Sequence, residues 1–143
     1  MAERKYLGEL LIEAGHIRRE QLEHSLKKSN AMGRRIGEIL IAEGLVSEEN
    51  VAMALSKQLG FPYYSLEAIS KNSDALATIP ESKAKHYEVI PISIEENNLT
   101  TGMVDPLNVF TVDALTKSTG CKIIPAICTR ADVQAAITAF YDR

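Results

Sequence analysis

A 29-residue internal repeat constrains this chain more than any other feature. Shifting the sequence by 29 residues aligns Gly8 with Gly37, Leu11 with Leu40, Ile12 with Ile41, Gly15 with Gly44 and Leu26 with Leu55. With Glu9/Glu38 and Glu20/Glu49, seven of the 19 pairs from Gly8/Gly37 to Leu26/Leu55 are identical. Average composition gives about one or two by chance. Leu10/Ile39, Ile17/Val46 and Leu22/Val51 keep their apolar character. A duplicated unit of this length means two similar structural units packed against each other. Functionally, the duplication points to one concave site between the copies, or to one ligand with two similar halves.

Both copies read as pairs of helices. Leu7, Leu10, Leu11 and Ala14 recur at helical spacing, and Gly15 suits the left-handed position that ends a helix. A second helix is expected over residues 19–29, burying Leu22 and Leu26, with a turn at 30–33. Ile36, Ile39 and Leu40 restart the spacing, and Gly44 stops it. Ser47 is a good N-cap for a fourth helix, with Glu48 and Glu49 favoured by the helix dipole. That helix buries Val51, Ala54, Leu55 and Leu59, and Gly60 and Pro62 end it. Residues 1–61 therefore read as two repeated helical hairpins, a four-helix unit.

After Pro62 the spacing changes. Pro80 is expected to open a short helix at its first position. Val89, Ile90, Ile92 and Ile94 form a strand with Pro91 inside it, which requires an edge position or a bulge. Residues 95–98 turn the chain into a return strand over 99–104. Asp105-Pro106 is expected to cap and open a helix containing Val109, Val112 and Leu115, ending near Gly120. Ile123, Ile124, Ala126 and Ile127 make a third strand. Thr129 and Asp132 start a last helix with Val133, Ile137 and Phe140 on one face. The order β-β-α-β-α predicts a hairpin plus one right-handed crossover, hence a three-stranded sheet. The fold class is α+β, with a helical tandem-repeat subdomain at 1–61 and a small α/β subdomain at 62–143.

Several function classes are excluded at this level. The net charge is −3 and no basic stripe is present, which argues against a nucleic-acid polymer as partner. No apolar run approaches the ~18 residues of a membrane span, and the N-terminus lacks a secretion signal. The expectation is a cytoplasmic chain without membrane insertion. Cys121 and Cys128 would point to opposite faces of a shared strand, so reduced, buried thiols are expected. No GxxxxGK[ST] phosphate loop is present. His16, His24 and His86 form no metal-ligand pattern, and no local Ser-His-Asp motif occurs. The chain is expected to be no enzyme and to carry no metal.

The second copy contains Arg35, Ile36, Gly37, Leu40, Ile41, Gly44, Leu45, Val46, Val51, Leu55 and Gln58. In this it resembles the MshEN domain, the N-terminal module of assembly ATPases in type II secretion and type IV pilus systems. The first copy matches at Leu7, Gly8, Leu11, Ile12, Gly15, Ile17, Leu22 and Leu26. It departs at Tyr6, where the family has Arg, at His16, where it has an apolar residue, and at Ser29, where it has Gln. The second half, with IPESKAKHYEVIPI and MVDPLN, looks like the rest of such N-terminal regions.

The resemblance implies two roles. One is binding of cyclic di-GMP, whose two similar halves would meet two copies of one motif. The other is docking on a protein of the secretion or pilus machinery, the cytoplasmic part of an inner-membrane platform protein. The ligand residues it implies are Tyr6, Leu7, Gly8, Leu11, Gly15, Arg35, Ile36, Gly37, Leu40, Gly44 and Gln58. Arg35 would pair with phosphate or stack on guanine, and Gly8 and Gly37 would admit the ligand close to the backbone. The expected function is a non-catalytic docking and regulatory domain without cofactor. The alternative is a cyclic di-GMP-binding domain with a degenerate first half-site.

Overall fold

A computed structural model describes residues 2–141, with side chains from residue 7 onward. It divides into two compact units, Met1–Gly60 and Phe61–Arg143, each with its own hydrophobic core. The fold class is α+β, with helices in both units and a three-stranded sheet in the second.

The first unit contains α1 (Ala2–Glu13), α2 (Arg19–Met32), α3 (Ile36–Ala42) and α4 (Glu48–Leu59). The repeat is visible in its hydrogen bonds. After α1, the backbone N–H groups of Ala14, Gly15 and His16 donate to the carbonyls of Leu10, Ile12 and Leu11, each at 3.0 Å. After α3, those of Glu43, Gly44 and Leu45 donate to Ile39, Ile41 and Leu40, again at 3.0 Å. Gly15 and Gly44 take φ of 83° and 74°, the left-handed conformation that lets a helix end this way.

Gly8 and Gly37 are matched too. A Cβ on Gly8 would lie 2.5 Å from Leu22 Cδ1, and one on Gly37 would lie 3.2 Å from Val51 Cγ1. Leu22 and Val51 are themselves repeat partners. Each glycine therefore makes room for the same side chain of its own copy's second helix.

The helices do not pair chiefly as two separate hairpins. α1 packs on α4 and α2 on α3, with α1 also touching α3. Because α1 corresponds to α3 and α2 to α4, these two interfaces are equivalents under the repeat. Each copy lays its first helix on the other copy's second. The reason is burial: one apolar stripe per helix is insufficient for a short hairpin alone. A shared core of Leu7, Leu11, Leu22, Ile36, Leu40 and Val51 satisfies both copies at once.

Other details depart from expectation. α2 runs on to Met32, because Asn30, Ala31 and Met32 can all be helical, and only Gly33 takes the left-handed conformation, at φ 67°. Leu26, Ala54, Leu55 and Leu59 are only part-buried, while Ser25 and Ser29 occupy fully buried places on α2.

The second unit begins with a 3-10 turn (Leu66–Ala68), α5 (Ser73–Leu76) and α6 (Glu81–Tyr87). Then follow β1 (Val89–Glu95), β2 (Asn98–Met103), α7 (Val109–Thr119), β3 (Lys122–Ile127) and α8 (Arg130–Phe140). The strand order is β1-β2-β3. β1 and β2 are antiparallel, and β2 and β3 parallel, joined through α7. Pro91 meets both of its conditions: β1 is an edge strand, and its register slips between Pro91 and Ser93. Val89, Ile90, Leu99, Met103, Leu115, Ala126 and Val133 form the centre of this core.

Two helix starts lie elsewhere than Pro-based reasoning puts them. α7 is capped by Asn108, whose side chain accepts from the Thr111 N–H at 3.2 Å. Asp105-Pro106 instead makes the preceding turn, with the Asn108 N–H donating to the Asp105 carbonyl, and Val109 faces water. Pro80 caps α6 rather than opening it.

Cys121 and Cys128 flank β3, both buried and free. Burial pushes the Cys128 thiol up from 9.0 to about 12, with the Asp132 carboxylate adding to the effect. The Tyr141 hydroxyl donates to the Ile79 carbonyl at 2.7 Å. Burial, then the charge of Glu81, push it from 10.0 to about 12. Both folded values are raised, so the stability these groups contribute is full below their unfolded values and is lost as pH rises through the folded ones. The second unit is therefore expected to weaken from about pH 9 to about 12. Urea melts across that range check this: Cys128→Ala should flatten the alkaline loss, and an unchanged slope would refute the assignment.

Two equivalent clefts on the helical repeat

Eight of the eleven candidate ligand residues are used by the fold itself. Leu7, Leu11, Ile36 and Leu40 are core residues. Gly8 and Gly37 accommodate Leu22 and Val51, and Gly15 and Gly44 turn the chain after α1 and α3. Arg35 stands exposed at the N-cap of α3, and Gln58 is part-buried in the last turn of α4. Tyr6 lies within α1, but its side chain is outside the described residues.

The two copies also present their motifs differently. Gly37 is the second residue of α3, whereas Gly8 is the seventh of α1. The first four N–H groups of a helix have no partner inside it, so the Gly37 N–H belongs to that class and the Gly8 N–H does not.

Two equivalent surface clefts lie on the described residues of this unit. One, of about 370 Å³, lies between α2 and the end of α3, lined by Glu20, Gln21, His24, Glu43 and Leu45. The other, of about 340 Å³, lies between the end of α1 and α4, where Leu10, Glu13, Ala14, His16, Asn50, Met53, Ala54 and Lys57 line it. The 29-residue shift carries Gln21 to Asn50, His24 to Met53, and relates Glu43 to Ala14 and Leu45 to His16. The clefts are thus two versions of one repeated feature. Even the capping agrees: Gln21 Oε1 accepts from the Arg18 N–H at 2.8 Å, and Asn50 Oδ1 from the Ser47 N–H at 3.1 Å.

Their chemistry differs most around one carboxylate. In the α2/α3 cleft, Ser25 Oγ donates to Glu43 Oε1 at 2.8 Å, and Lys28 Nζ donates to Oε2 at 2.5 Å. The Lys28 hydrogen bond, then that of Ser25, hold the Glu43 carboxyl below the usual carboxylate range. In the α1/α4 cleft the corresponding residues are Ala54, Lys57 and Ala14. The lysine is kept, while the hydroxyl and the carboxylate are replaced by methyl groups. Sequence reasoning missed this set because it followed the identical pairs; the signal lay in the pairs that differ.

Ser29, the residue opposite Gln58 in the repeat, is fully buried. Its hydroxyl donates to the Arg34 carbonyl just past the end of α2. It closes that helix. Elsewhere, Met32, Met53, Leu107, Val109 and Phe110 are large apolar side chains left to water, Phe110 being 84% exposed. Among the described residues no helix is long and apolar enough to cross a membrane.

The MshEN domain family model matches residues 59–143, which is the α/β unit with the last two residues of the helical one, and not the repeat that carries the resemblance. Relatives cover the helical repeat as well. Bacteriophage adsorption protein B of Escherichia coli (strain K12) is 33% identical over 137 residues, 96% of this chain and 18% of that protein. The type IV pilus assembly ATPase PilB of Myxococcus xanthus (strain DK1622) is 31% identical over 135 residues, 94% of this chain and 24% of that protein. The chain thus spans less than a quarter of either relative. Among solved structures, MshE with cdg (cyclic di-GMP) superposes with a TM-score of 0.80 at 29% identity, over 94% of this chain and 98% of that one. The N-terminal domain of XpsE shares the fold, with a TM-score of 0.72 at 20% identity, over 96% of this chain and 95% of that one.

Proposed function

This chain belongs to the MshEN domain family, and from that premise we propose that it is a non-catalytic regulatory and docking domain for a protein of a secretion or pilus machine. The partner is the cytoplasmic part of an inner-membrane platform protein, and the chain sits in the cytoplasm, reaching the membrane only through that partner. Docking belongs to the helical subdomain, 1–61, and the α/β subdomain, 62–143, supports it. The observation that carries this reading is the use of side chains: eight of the eleven ligand candidates serve the fold, while Met32 and Met53 of the same unit face water.

The MshE structure with cyclic di-GMP favours a second reading. Here cyclic di-GMP is a ligand held weakly, through the polar groups of the second copy, Arg35 and Gln58. The two readings separate in one experiment. Mixed with the purified cytoplasmic part of the platform protein from the same organism, the chain should form a complex by analytical ultracentrifugation without added nucleotide. A complex that forms only with cyclic di-GMP would make the ligand primary. No complex under either condition would refute docking.

A further inference from the structure

We propose that the α1/α4 cleft is completed by a carboxylate from a protein partner, carried on an apolar helical segment and paired with Lys57. This rests on the docking reading above. In the sister cleft, Glu43 fills the same position from within the chain. There the carboxylate is held by Lys28 and Ser25 at hydrogen-bond distance. The equivalent place beside Lys57 is bounded by Ala14 and Ala54, and no ion pair to Lys57 is seen among the described residues. Glu13 also lines this cleft but does not pair with Lys57. One half of the repeated feature thus contains its own acid, and the other offers the cation and the space.

The occupant's remaining chemistry follows from the walls. Leu10, Ala54 and Met53, the last 54% exposed, give the cleft an apolar surface. Methionine is flexible and adapts to the side chain laid on it. A helix presenting apolar residues with one Asp or Glu on the same face matches this surface, in the manner of helix-in-groove recognition. A buried or half-buried pair with Lys57 sets register and orientation, and rejects partners that bring a cation there.

The test uses the full chain in cells of its source organism. A photo-crosslinking amino acid replaces Met53, and the crosslinked segment is mapped by mass spectrometry. The expected segment is apolar, with an Asp or Glu within one helical turn of the crosslinked residue. Lys57→Glu should lower the crosslink yield at least about tenfold, and exchanging the mapped acid for lysine should restore it. Lys57→Gln should give an intermediate yield, and thermal melts of both variants should match the parent chain. No crosslink at Met53, an acid-free segment, or a yield indifferent to Lys57→Glu would overturn the proposal. So would an unchanged crosslink accompanied by lost cyclic di-GMP binding, which would assign the lysine to phosphate. A crosslinker at Met32, in the same unit, separates the two levels. A crosslink there alone would overturn the cleft and leave docking intact, and silence at both Met53 and Met32 would overturn both.

Discussion

Leu40→Ala and Leu11→Ala are each expected to cost the helical unit about 2–5 kcal/mol. Both leucines are fully buried, and they are repeat partners in one shared core. A unit of this size has only roughly 3–9 kcal/mol of stability in total. Either change should therefore remove a large part of it, and the two losses should be similar. Leu55→Ala should cost less, because Leu55 is only packed against that core and remains part-exposed. Urea denaturation followed by far-UV circular dichroism measures all three. A loss under about 0.5 kcal/mol at Leu11 or Leu40, the level of an ordinary surface change, would show that the reciprocal packing is wrong.

The second large effect concerns the ligand. Arg35→Ala should remove whatever cyclic di-GMP binding the chain has. Arg35 is an exposed cation of the better-matched copy, at the N-cap of α3. A charge-assisted hydrogen bond contributes about 1.5–3 kcal/mol, so losing one weakens binding roughly ten- to a hundredfold. Restoring the first copy is less simple than its sequence implies. Tyr6→Arg adds the missing cation. Ser29→Gln does not add the missing amide cleanly, because Ser29 is fully buried and bonded to the Arg34 carbonyl. A larger side chain there overpacks the end of α2, at a cost of about 1–3 kcal/mol. Tyr6→Arg alone should strengthen binding, and Ser29→Gln should lower the melting temperature instead.

Much of the fold is legible in the sequence because its punctuation is local. Gly15, Gly44, Gly60 and Gly120 end helices by a conformation that other residues resist. Pro91 and the alternation around it fix an edge strand with a bulge. What is not legible depends on distant partners. Helical spacing shows which face of α1 is apolar, but α4 and α2 offer it similar surfaces, and only the closed core decides between them. Ser25 and Ser29 read as polar and surface-facing. Burial becomes affordable for them through Glu43 and the Arg34 carbonyl, which lie 18 and five residues away. The site suffers the same limit. Spacing identified the motif residues, yet cannot separate those that build the unit, such as Leu40 and Gly37, from those that face out, such as Arg35.

The central claim follows: most motif residues of both copies build the unit, and any ligand contact rests on Arg35 and Gln58 of the second. Calorimetric titration of the chain with cyclic di-GMP, using GMP as control, tests it most directly. Binding should be at least about tenfold weaker than in the Tyr6→Arg variant, and Arg35→Ala should abolish it. Tight binding by the unaltered chain that survives Arg35→Ala would contradict the account.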